Sequence, residues 1–121
     1  MNGNTNLKTI KQEFNDRFPY IRLSIYDQSE RSNPTKTPLN GEKTISEVRT
    51  IKSSEPAIIR GGQKVKNLEK MVDQIFGLYC QVAYTDKDNL RSYTTGSHDE
   101  MSLRELNALG EQLGWKKGIW E

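Results

Sequence analysis

Four short stretches hold the side chains from which chemistry is usually built. His98-Asp99-Glu100 sets the sole histidine beside two carboxylates, the makings of a metal site or a proton relay. With no second histidine and Cys80 as the sole cysteine, no coordination set closes around it. Its place ahead of Ser102 suits acidic residues that favour the positive end of a helix dipole. Asp86-Lys87-Asp88-Asn89 opens like a calcium loop, but Arg91 and Ser97 stand where the glycine and the glutamate belong, so it reads as a hairpin turn. Cys80 has no base near it in sequence and lies on the inward side of an alternating stretch, which predicts a buried, unreactive thiol. Arg60-Gly61-Gly62-Gln63-Lys64 places backbone amides between two cations, a shape that can cradle phosphate or carboxylate. Its spacing fits neither a P-loop nor a dinucleotide fingerprint, and the glycine pair also reads as a tight turn with positive φ and no ligand.

Both tryptophans fall in Trp115-Lys116-Lys117-Gly118-Ile119-Trp120, where the indoles can close a core or mark an interaction surface. The alternation at Arg22, Ser24 and Tyr26, and at Tyr79, Gln81 and Ala83, predicts an outward sheet face of mixed aromatic and basic character. Such a face can stack bases, although no RNA-recognition sequence motif accompanies it.

The elements that carry these residues come twice. Leu7 to Phe14, Phe18, Ile21-Leu23-Ile25 and Thr44 to Val48 match Val65 to Val72, Phe76, Leu78-Cys80-Val82 and Ser102 to Leu106, once a one-residue gap is allowed after Phe18-Pro19 or Phe76-Gly77. Thr9 with Gln12, Thr44 with Glu47 and Ser102 with Glu105 have capping-box spacing, and Asn67 suits an N-cap. Apolar stripes behind them predict helices over 10–18, 45–51, 68–76 and 103–113, the last burying Leu103, Leu106, Leu109 and Leu113. Strands are predicted at 21–26 and 78–84, with 90–94 completing a hairpin. In the first half, Pro34, Pro38 and Asn40-Gly41 leave at most a short edge strand within the most mobile loop, 27–43. Pro56 to Arg60 reads as a further strand, and the last eight residues as a strand or an ordered tail.

The fold class is therefore α+β: an antiparallel sheet with helices packed on one side, two degenerate α-β-β-α halves (about 7–60 and 64–121) sharing one core in a single domain, 1–121. The run Leu7 to Phe14 with Phe18, then Lys43-Thr44-Ile45 and a degenerate second copy, resembles a group of small, functionally uncharacterised bacterial proteins. That resemblance implies the duplicated fold and transfers no functional residue.

At 121 residues the chain suits one domain, and Leu, Ile, Val and Phe make up 26 positions, which predicts a thin core. A net charge of +2 gives no strong field for nucleic acid or membrane, and no apolar run reaches the ~20 residues of a bilayer span. The lone cysteine fits the reducing cytoplasm, and Met1 to Asn6 do not read as a secretory leader. These features point to a non-enzymatic binding or protein-interaction module with no catalytic residue, metal or cofactor. Its candidate binding residues are Arg60, Gly61, Gly62, Lys64, Trp115, Lys116, Lys117 and Trp120. The expected partner is a protein, met by a monomer or weak homodimer without membrane contact. A nucleic-acid-binding domain using the sheet face and the Arg60–Lys64 loop is the alternative, and a small-molecule enzyme using His98 and Asp99 the second.

Overall fold

A computed structural model describes residues 3–121; Met1 and Asn2, the start of the stretch read as carrying no leader, lie outside the described residues. The order is α1 (Leu7–Arg17), β1 (Arg22–Asp27), a 3-10 turn (Gln28–Glu30), α2 (Ile45–Val48), α3 (Val65–Phe76), β2 (Leu78–Thr85), β3 (Arg91–Tyr93) and α4 (Leu103–Leu113). The strands form one antiparallel sheet in the order β1-β2-β3, and α1 packs on β1 as α3 packs on β2. The architecture is α+β, as the alternation of helical and strand periods predicts. Ile10, Phe14, Phe18, Leu68, Val72 and Phe76 from the helices meet Leu23, Ile25, Leu78, Cys80 and Val82 from the sheet in one continuous core.

Two capping boxes form where their spacing places them: Thr44 and Glu47 open α2, Ser102 and Glu105 open α4. The other two predicted caps do not. Asn6, not Thr9, caps α1, its Oδ1 accepting from the Thr9 amide at 2.8 Å, so the helix starts at Leu7. Helix α3 starts at Val65 behind Lys64 rather than behind Asn67, and no side chain caps it. In both cases a backbone bridge lies at the helix start: Asn6, which also caps α1, pairs with Thr44, and Lys64 with Ser102.

The contacts around these bridges recur at one spacing. Leu7 N–H donates to Lys43 O, Lys8 to Gly41, Ile45 to Thr5 and Ser46 to Gly3. Fifty-eight residues on (Leu7 to Val65, Lys43 to Met101), Val65 donates to Met101, Lys66 to Asp99, Leu103 to Gln63 and Arg104 to Gly61. In the β1–β2 ladder Ser24 faces Gln81, its counterpart in the sequence match, and the flanking pairs Leu23–Val82 and Ile25–Cys80 exchange counterparts across it.

Several expected features differ. Helix α2 is a single turn ending at Val48, because Arg49 is already extended. Pro56 to Arg60 is not a strand: Ala57 is buried, Ile58 is exposed, and no ladder forms. The first half has no second strand; a single bond from Leu39 N–H to Ile25 O lies along the β1 edge. Leu113 is exposed at the last turn of α4, where Gly114 ends the helix in the left-handed conformation. The hairpin turn does form, with Asp86 Oδ1 accepting from the amides of Asp88 and Leu90 and Asn89 at φ 65°.

The largest correction concerns the second sheet face. Arg22, Ser24 and Tyr26, expected to face outward, are 1%, 4% and 0% exposed. The 28–42 loop and the C-terminal tail fold across that face. Arg31 stacks over the Tyr79 ring at 4.5 Å with Lys36 nearby, so the loop expected to be mobile is held on the sheet. The tail is fastened by Lys116 N–H to Thr85 O, Gly118 N–H to Pro19 O, and the buried Asn15 amide, which donates to both Ile21 O and Ile119 O.

Candidate functional site

The residues singled out from sequence do not converge. The expected turn forms, with Gln63 N–H donating to Arg60 O at 3.1 Å, but Gly61 and Gly62 both lie outside the positive-φ region. Gly61 instead lets the chain pass the Arg104 side chain, whose guanidinium would stand 2.8 Å from a Cβ there. Arg60, Gly62 and Gln63 share a pocket of about 610 Å³ with Ile58, Met71 and Arg104. Lys64 turns to Glu100 at 2.9 Å, and Lys66 meets the same carboxylate, which holds Glu100 down at about 2. Glu100 thus bridges to the cations at the head of α3 from its place two residues before the Ser102 cap of α4.

Trp115 is a core residue, stacked on Tyr84 with centroids 3.8 Å apart. Lys116 is half-buried and Lys117 exposed, and Trp120 lines a second pocket. His98 Nδ1 accepts from the Thr95 amide at 3.0 Å, and its ring meets Tyr84 and Trp115 edge-on, a packing role. Cys80 is fully buried, which pushes its thiol far up and keeps it protonated. Among the described residues, no three His, Cys, Asp or Glu side chains stand where they could hold a metal ion together.

The tertiary structure assembles a cluster that sequence spacing did not. A pocket of about 410 Å³ is lined by Lys8 and Lys11 of α1, Ser24 of β1, Asn40 and Glu42 of the loop, Arg91 of β3, and Trp120 and Glu121 of the tail. Arg22 leaves the same face of β1 two residues before Ser24. Its Nη1 donates to Thr85 Oγ1 at 2.8 Å and its Nη2 to Tyr84 O at 3.4 Å. The buried Nε has no hydrogen-bond partner among the described residues, nor has Gln81 Oε1, the side chain paired across the ladder with Ser24.

A guanidinium removed from water is normally balanced by a carboxylate. Arg22 has no ion-pair partner among the described residues. Burial first, then repulsion from Arg91, lowers its pKa to about 10. Lys11, lying over the Trp120 ring, is also lowered by burial; Glu121 opposes that shift, while Arg91 and Arg22 reinforce it. Three lining cations, Lys8, Lys11 and Arg91, against the Glu42 and Glu121 side chains leave the pocket positive, and Arg22 behind it adds to the excess. Arg22, Ser24 and Trp120 are legible in the sequence as candidates for a surface; Lys11 and Arg91 carry no local signal, because 11, 22, 91 and 120 come together only through the sheet.

No protein family, no characterised protein and no solved structure shows significant similarity to this chain.

Proposed function

We propose that the protein is a non-enzymatic binding module, acting in the cytoplasm as a monomer or weak homodimer and built from two related halves. The support for relatedness is the recurring set of backbone bonds at each helix junction and the β1–β2 register, in which Ser24 faces its matched residue Gln81. The observation that carries the binding reading is the convergence of Lys11, Ser24, Arg91 and Trp120 around one pocket, with the buried Arg22 behind it left without an ion-pair partner among the described residues. The side chains with conventional catalytic chemistry are committed elsewhere: Cys80 to the core and His98 to Tyr84 and Trp115.

Native mass spectrometry of the protein recovered from its own cells tests this reading. A bound mass that dissociates under mild activation is the expected result. Turnover in a broad substrate screen that disappears in His98→Ala or Cys80→Ala would reject the module in favour of an enzyme. The nucleic-acid alternative draws on the same cations. It has less aromatic surface to use, since Tyr26 is fully buried and Tyr79 lies beneath Arg31 and Lys36.

A further inference from the structure

We propose that the pocket between α1, the second sheet face and the tail binds a small organic phosphate, its phosphate held by Lys11, Ser24 and Arg91 beside Arg22 and its organic part set against the Trp120 indole. This rests on the binding-module reading and names its ligand class. The donors arrive from three elements, α1, β1 and β3, and so from different directions. A tetrahedral phosphate offers acceptors to all of them, whereas a planar carboxylate is best matched by a single bidentate fork. The lining cations Lys8, Lys11 and Arg91 outnumber the Glu42 and Glu121 side chains, and Arg22, which does not line the pocket but repels Lys11 and Arg91, adds to an excess that a phosphate neutralises. The 410 Å³ volume is far more than a phosphate group alone fills and falls in the range of small-molecule sites. Arg22 lies behind the lining: it is 1% exposed, its two Nη groups are fixed on Thr85 and Tyr84, and an anion held by the lining residues supplies, through space, a counter-charge that no described side chain provides as an ion pair.

Adenosine monophosphate, adenosine, inorganic phosphate and decauridylate are titrated into the full chain by calorimetry at low salt. The monophosphate is expected to bind with a Kd below about 1 mM, and adenosine about tenfold or more weaker, from the loss of charge-assisted contacts. Lys11→Gln and Arg91→Gln, both at the pocket rim, should each weaken the monophosphate about tenfold with an unchanged thermal midpoint. Trp120→Ala should weaken the monophosphate and leave inorganic phosphate unaffected. These rim variants keep the test decisive should Arg22→Met fail to fold. Equal affinity for adenosine and its monophosphate, no binding of either phosphate probe at about 10 mM, or rim variants that bind as the wild type would each overturn the site. So would decauridylate binding more tightly than the monophosphate with a steep salt dependence, which assigns the cations to nucleic acid. If both phosphate probes fail while a co-purifying mass persists, the phosphate site falls and the binding module stands.

Discussion

Single positions show how far side-chain identity reaches. Gly77 ends α3 at φ 64°, its amide donating to Asp73 O, and a Cβ there would lie 2.0 Å from Thr50 Oγ1. Thr50 and Ile51 donate their amides to Phe76 O, so the loop cannot retreat without losing those bonds. Gly77→Ala should therefore cost about 2 kcal/mol or more, beyond the ordinary left-handed penalty. A shift in the urea midpoint measures it, and an unchanged midpoint refutes it. Glu69 makes a prediction of opposite chemical kind. Burial, then repulsion from Asp99, raises its pKa to about 7, while Arg31 pulls it down only in part. Between the ordinary carboxylate value of about 4.3 and that raised value the native state holds the proton more tightly than the unfolded chain, so stability falls as pH rises through this window. Asp27, Glu47, Glu100 and Glu105 are shifted the other way by their hydrogen bonds, so their contribution is lost as pH falls below the ordinary carboxylate range. Urea midpoints should thus drop from pH 5 to pH 8 in the wild type and stay flatter in Glu69→Gln; parallel profiles would show that Glu69 is not the cause.

Among elements, the helix starts separate local from non-local causes. Ser102 with Glu105 and Thr44 with Glu47 satisfy the amides of α4 and α2 within three residues, so spacing alone reveals them. Thr9 with Gln12 has the same spacing, yet Asn6 takes the cap, because the Asn6–Thr44 bridge and the Leu7-to-Lys43 bond pull the start of α1 back a turn. The same pull at Lys64–Ser102 starts α3 at Val65 without a side-chain cap. Asn6→Ala should then cost about 1 kcal/mol, and Thr9→Ala less than about 0.5 kcal/mol. The reverse order in thermal unfolding would place the cap back on Thr9. The segment 56–60 fails as a strand for a related reason. Apolar character is enough to bury Ala57, but a strand also needs a ladder partner, and residues 56–60 join neither edge of the β1-β2-β3 sheet.

At the scale of the whole molecule, the sheet has one apolar face under α1 and α3 and one polar face under the 28–42 loop and the tail. A strand buried on both sides still alternates in polarity here, so Arg22, Ser24 and Tyr26 look solvated in sequence and are not. That enclosure creates the basic pocket, and it predicts that cutting the tail after Gly114 exposes the Arg22 face and removes Trp120 together with the Lys116 and Gly118 tethers. The shortened chain should unfold at a lower temperature and lose affinity for adenosine monophosphate; retention of both would show that the tail neither closes the core nor shapes the pocket. Local order was determined by the sequence itself: the helix stripes, two capping boxes, the hairpin turn, the alternation of β1 and β2 and the α+β class all rest on interactions within a few residues. Only the tertiary structure decided which residues meet across the chain, because burial of the second face, the α1 and α3 starts and the gathering of Lys11, Arg22, Arg91 and Trp120 depend on contacts between segments tens of residues apart, whose geometry is set by sheet register and by how the loop and tail lie across it.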